Sequence, residues 1–116
     1  MSDSPLIIKS KTFAINIVKL CNHVKKEQKE SVLTGQLIRS STSIGANIRE
    51  AFYAHGKADF IAKLQIALKE CSESEYWLEL LLECDYINDN KILEDCIELK
   101  NLLISSINTT KNNLKQ

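Results

Sequence analysis

Apolar residues recur every three or four positions through most of this chain, and only three glycines and one proline interrupt its 116 residues. That period belongs to an amphipathic helix, whereas a half-buried strand alternates every second residue. An all-β domain would need a turn every 8 to 12 residues or so, and turns draw on Gly and Pro. The scarcity of both therefore selects long helices. A chain that is 44% hydrophobic and 26% charged fits one soluble globular domain, spanning residues 1–116 and long enough to bury a core without disulfide or metal staples.

Four helices follow from the spacing. Leu6, Phe13, Ile17, Leu20 and Val24 come at steps of 7, 4, 3 and 4, with Ala14, Val18 and Cys21 beside them, and predict a helix over about 5–26. Ser4 is placed to cap it, and Pro5 takes the first helical position, where its missing N–H costs nothing. The polar run Lys25 to Ser31 supplies a connection. The second segment contains Ser40-Ser41-Thr42-Ser43-Ile44-Gly45, which reads locally as a turn. Yet Leu33, Leu37, Ser41, Ile44, Ile48, Ala51 and His55 keep steps of 4, 4, 3, 4, 3 and 4 straight through it. Periodicity thus predicts one helix over about 32–54, with small residues at a close contact and Gly56 in the left-handed position that closes it. A third helix over about 58–83 carries Phe60, Leu64, Ala67, Cys71, Ser74, Leu78 and Leu81. After a loop at 85–90, a fourth over about 90–110 carries Leu93, Cys96, Ile97, Leu103, Ile104 and Ile107, with the tail from Thr109 to Gln116 fraying. Short connections between helices of this length predict an all-α, antiparallel up-down-up-down four-helix bundle.

The longest apolar runs, Leu6–Ile8 and Leu80–Leu82, are far shorter than the roughly 18 residues a membrane span needs. Met1-Ser2-Asp3-Ser4-Pro5 lacks the charged start and apolar stretch of a signal peptide, so the expectation is a cytoplasmic protein without membrane contact. Cys21, Cys71, Cys84 and Cys96 form no C-x-x-C pair and read as small, reduced core residues. A bundle invites comparison with di-iron proteins, whose ligands include Glu-x-x-His, but Leu20 and Phe52 stand three residues before His23 and His55. Cys21 and His23 would diverge by about 200° on a helix. Neither a P-loop nor a nucleophile motif occurs. The reading is non-enzymatic, with no metal, no catalytic residue and no cofactor.

Charge placement is more informative than charge total. Fifteen Lys and Arg balance fifteen Asp and Glu, which argues against a strongly basic nucleic-acid binder. Residues 1–58, however, carry nine bases against four acids, and residues 59–116 six against eleven. One reading is ordinary solvated faces that attract each other across the bundle. The other is a phosphate-holding patch of Lys9, Lys11, Lys19, Arg39 and Arg49. Arg39, Ser43, Asn47 and Glu50 fall at steps of 4, 4 and 3, a polar stripe beside the apolar one. An antiparallel return around Gly56 brings Arg39 level with Glu73 to within about one turn, where an ion pair would fix helix register.

Gln36 to Ala51 (QLIRSSTSIGANIREA), Asp59 to Glu70 (DFIAKLQIALKE) and Glu75 to Leu78 (EYWL) resemble the four-helix bundle proteins encoded in bacterial 23S rRNA intervening sequences. The likeness runs from about Phe13 to Leu103, and Arg39, Ser43, Asn47, Glu50 and Gly45 match that family's characteristic positions. More distantly, the chain is similar to accessory proteins of diversity-generating retroelements. Those assemble as ring-shaped homopentamers and are thought to bind nucleic acid and a reverse transcriptase. The resemblance implies a bundle that self-associates, as a pentamer, and binds structured RNA. Tyr53, Ile66, Tyr76, Trp77 and Leu99 lie off the main stripes and are the expected protomer contacts. The alternative is a scaffold whose acidic surface, Glu70 to Glu98, docks a basic protein partner.

Overall fold

The computed structural model describes the backbone of residues 4–115 and the side chains of residues 4–113. Met1–Asp3, part of the segment compared with a signal peptide, and Gln116 lie outside the described residues. Four helices make up the fold: α1 Pro5–Gln28, α2 Val32–Phe52, α3 Lys57–Glu83 and α4 Lys91–Lys115. The connections are short, and both ends of the bundle show alternating chain direction. At one end Leu20 and His23 of α1 face Ile92 of α4 across a cleft, and Gln28 Nε2 donates to the Tyr86 carbonyl at 2.9 Å. At the other end Pro5, Phe52 and Phe60 gather around Leu102 and Ser106 of α4. Each helix packs on the next in chain order and α4 closes on α1; the α2–α3 seam is the most extensive and the α1–α4 seam the least.

The core is one cluster of aliphatic side chains from all four helices, centred on Ile17, Leu37, Ile44, Ile48, Leu64, Leu78, Leu81 and Leu103. Helix α2 runs unbroken through Ser40–Gly45. Ser40 and Ser74 are both fully buried and their hydroxyls meet at 2.7 Å, so the small side chains let α2 and α3 approach closely. The competing local hydrogen bonds are present too: Ser40, Ser41 and Thr42 donate to carbonyls three or four residues back, which a helix accommodates. On the α1 side, Gly45 lies against Ser10 with room for a methyl group at ordinary contact, 3.5 Å from Ser10 Oγ.

Several element ends differ from the sequence reading. Ser4 makes no side-chain cap, although its carbonyl accepts the Ile8 N–H and Pro5 does hold the first turn. Helix α1 continues to Gln28 and closes on Lys29, whose φ of 59° is left-handed. Helix α2 stops at Phe52, leaving Tyr53 at its C-cap and His55 in the connection. Gly56 is extended (φ −169°) and opens α3 instead of closing α2. The left-handed position after α3 is Asp85, at φ 64°. There the N–H groups of Tyr86 and Ile87 both reach the Leu81 carbonyl, which satisfies the last turn. Helix α4 continues past Thr109 and Thr110 to Lys115.

Burial also departs from expectation at some cysteines and on α4. Cys21, Cys71 and Cys96 are buried, whereas Cys84 is exposed at the end of α3. Each of Cys71 and Cys96 sends its thiol to the other's backbone carbonyl, at 3.4 and 3.5 Å, and the sulfurs lie 3.9 Å apart across α3–α4. Burial pushes the Cys21 thiol up to about 12, and hydrogen bonding with Cys71 followed by burial raises Cys96 as well. On α4 the buried stripe is Cys96, Leu99, Leu103 and Ile107, while Ile104 is exposed.

Candidate functional site

Helix α2 meets α3 along a polar border that begins at Arg39. Its guanidinium spans two carboxylates one turn apart on α3: Nη1 reaches Glu70 at 3.0 Å and Nη2 pairs with Glu73, while Nε donates to Gln36. Glu73 also accepts the Trp77 indole N–H at 3.2 Å. Further along, Asn47 Nδ2 donates to the Ser43 carbonyl at 2.9 Å, and Glu50 pairs with Lys63 at 3.3 Å. The stripe Arg39, Ser43, Asn47 and Glu50 is thus tied at both ends to α3, by ion pairs that favour the observed register. Arg39 and Glu50 are more than half exposed, so each pair contributes at most about 1 kcal/mol and acts mainly through geometry.

The five cations of the expected patch do not gather. Arg39 is engaged on the α2–α3 border and Lys9 pairs with Glu98 across α1–α4. Lys11, Lys19 and Arg49 have no carboxylate within ion-pair distance among the described residues. Lys11 and Arg49 do converge. The α1–α2 hairpin turns about residue 30, which sets position 11 level with position 49. Both side chains line a groove between the helices whose other walls include Ser10, Ala14, Gly45 and Ala46. The groove continues outward past Ile8, Thr12, Ile15 and Tyr53, again with Lys11 and Arg49 at its sides. Tyr53 is 74% exposed, and Ile8 and Ile15 are nearly half exposed.

The residues expected at protomer contacts separate into three places. Tyr53 belongs to the groove. Ile66 and Tyr76 are exposed on α3, and half-buried Trp77 packs edge-on against Tyr76 at 5.2 Å. Leu99 is only 1% exposed and belongs to the core cluster, so it offers no surface to another protomer. The cause is register: α4 has apolar residues around much of its circumference, and the side facing its neighbours runs through Leu99. Ile8 and Ile15 were absent from the expected set although they lie off the Leu6–Phe13–Ile17 stripe, the same signal that marked Tyr53. The Lys11–Arg49 proximity is likewise implied by hairpin register alone.

The acidic segment is partly neutralised. Glu75 pairs with Lys100, Asp95 with Lys91, and Glu98 with Lys9. At that end of the bundle His23 is exposed and borders the α1–α4 cleft, whereas Cys21 is buried. No helix among the described residues is long and apolar enough to cross a membrane.

The family model described as 23S rRNA-intervening sequence protein matches residues 3–105. The chain belongs to that family. The 23S rRNA-intervening sequence match spans the polar border, the groove and every core residue but Ile107, stopping within the last turns of α4. A crystal structure at 1.70 Å of a protein with unknown function from the S23 ribosomal protein family of Bacteroides thetaiotaomicron VPI-5482 is also similar. It shares 52% identity with a TM-score of 0.86, over 88% of this chain and 97% of that one. No curated protein matches.

Proposed function

We propose that this intervening-sequence family member is a non-enzymatic, cytoplasmic binding module that self-assembles into a pentameric ring and holds structured RNA. The observation that carries the reading is the α1–α2 groove, where Lys11 and Arg49 stand together without carboxylate partners among the described residues. Cations left uncompensated beside an aromatic and a floor of small residues suit phosphates approaching closely. Exposed Tyr76 and Ile66, with half-buried Trp77, supply apolar surface on α3 for contacts between copies. Binding of a labelled structured RNA at about 50 mM salt, repeated across a salt series, tests the reading. Lys11→Ala with Arg49→Ala is expected to weaken binding and flatten its salt slope; no binding by the unmodified protein at low salt refutes it. Native mass spectrometry at micromolar concentration tests assembly, and a monomer alone refutes the ring.

A scaffold role is favoured by one separate feature: Glu79, Glu83 and Glu94 are exposed carboxylates without a cation partner among the described residues. Co-purification of a basic protein that survives nuclease treatment, with no RNA recovered, decides for it.

A further inference from the structure

The groove differs from a simple basic patch because its cations flank an apolar wall. On α1, Ile8, Thr12, Ile15 and Lys19 follow at steps of 4, 3 and 4, one outward stripe that ends in a third cation without an ion pair among the described residues. Lys19 lies about 12 Å along the helix axis from Lys11. Tyr53 stands across from this stripe, held at the α2 C-cap by backbone bonds from its N–H to the Ala51 and Glu50 carbonyls, with its ring exposed. Isoleucine and tyrosine side chains find little apolar surface on a duplex, whose base faces are stacked and whose minor groove presents 2′-hydroxyls and base edges. They offer a platform to a base that is out of its stack.

We infer that the α1–α2 groove takes an unpaired stretch of RNA, with a base laid on Tyr53 against Ile8 and Ile15 and the flanking phosphates on Lys11 and Arg49. The inference rests on the RNA-binding reading above and narrows it: within a structured RNA, the recognised part is a loop or bulge. Lys19 extends the phosphate path beyond the base. The floor of Ala14, Gly45 and Ala46 keeps the groove open beside the two cations.

Fluorescence anisotropy with a single-stranded RNA of about ten nucleotides, and with the same sequence annealed into a duplex, tests this. The single strand is expected to bind at least about tenfold tighter than the duplex at low salt. Tyr53→Ala is expected to weaken single-strand binding about tenfold and leave duplex binding unchanged, while Tyr53→Trp retains it. Tyr53 is exposed, so circular dichroism of each variant should match the parent. Equal affinity for both RNAs, or full binding by Tyr53→Ala, overturns the inference and leaves RNA binding standing. Absence of binding to either RNA, including a structured one, removes both. If Lys11→Ala/Arg49→Ala/Tyr53→Ala lowers the assembled mass in RNA-free protein, the groove is a contact between copies and the inference fails.

Discussion

Removing the buried hydroxyls of Ser40 and Ser74, singly and together, should produce strongly non-additive losses. Both residues have no solvent exposure and their hydroxyls are 2.7 Å apart, but their circumstances differ. Ser40 Oγ also lies 3.3 Å from the Leu37 carbonyl and can donate there, whereas Ser40 is the hydrogen-bond partner found for Ser74. Ser74→Ala removes one neutral hydrogen bond, about 1 kcal/mol, and recovers up to about 0.5 kcal/mol in helix propensity. Ser40→Ala strands the Ser74 hydroxyl in the core, a penalty of about 1–3 kcal/mol before the same recovery. The double variant strands nothing and should lie within about 0.5 kcal/mol of the parent, giving a coupling near 2 kcal/mol. Urea denaturation followed by far-UV circular dichroism at one fixed protein concentration measures all three, since self-association shifts apparent stability. Additive losses, or a Ser74→Ala loss exceeding that of Ser40→Ala, would refute the assignment of donors.

Three further expectations concern helix ends and glycines. Glu30 is buried and its carboxylate accepts the N–H groups of Leu33 at 2.6 Å and Thr34 at 2.9 Å, capping α2 from before its first turn. Burial by itself would raise this carboxyl, but those bonds outweigh it and hold it below the usual carboxylate value. Its stabilisation is therefore fully present above the unfolded value of about 4.3 and is lost as pH falls through the lower folded value. Glu30→Gln should cost about 1–2 kcal/mol at pH 7 and flatten the acid limb of a stability–pH curve; an unchanged limb contradicts the cap. Lys29→Gly and Asp85→Gly, at φ 59° and 64°, should each stabilise by about 1 kcal/mol in thermal unfolding. Gly45→Ala and Gly35→Ala should do the same, because neither added methyl meets an obstacle closer than 3.5 Å; a loss at position 45 alone would mean that Ser10 cannot accept it.

Period was the reliable part of the sequence signal. It carried α2 through six residues that look like a turn, because burial of Leu37, Ile44 and Ile48 on one face outweighs local serine hydrogen bonds. It was less decisive on α4, where it gave the buried Cys96, Leu103 and Ile107 but also the exposed Ile104, and placed Leu99 off the stripe, because Leu93, Ile97 and Ile104 form a second apolar line close to the buried one. Helix ends were poorly legible for a different reason. Ser4 and Gly56 have the residue types of caps, yet they act only through carbonyls that accept the Ile8 and Phe60 N–H groups, whereas Glu30, Asp85 and Asp89, whose Oδ1 accepts the Lys91 N–H at 2.9 Å, act through a carboxylate or backbone conformation that depends on how the chain turns. In the candidate site, Arg39 and Glu73 were brought level by hairpin arithmetic. The division of the cations among three seams was not, since ion pairing depends on side-chain reach across neighbours.

The four thiols turn the molecule into its own stopwatch. Cys84 meets solvent in the native fold, while Cys21, Cys71 and Cys96 are shut in the core. The shifts upward at Cys21 and Cys96 leave almost no thiolate at neutral pH. A thiol-reactive reagent should therefore label Cys84 at once and the other three only as fast as helices part. The delay at Cys71 and Cys96 would time the opening of α3 from α4, and that at Cys21 the loosening of α1, separating two motions that a global melting curve merges.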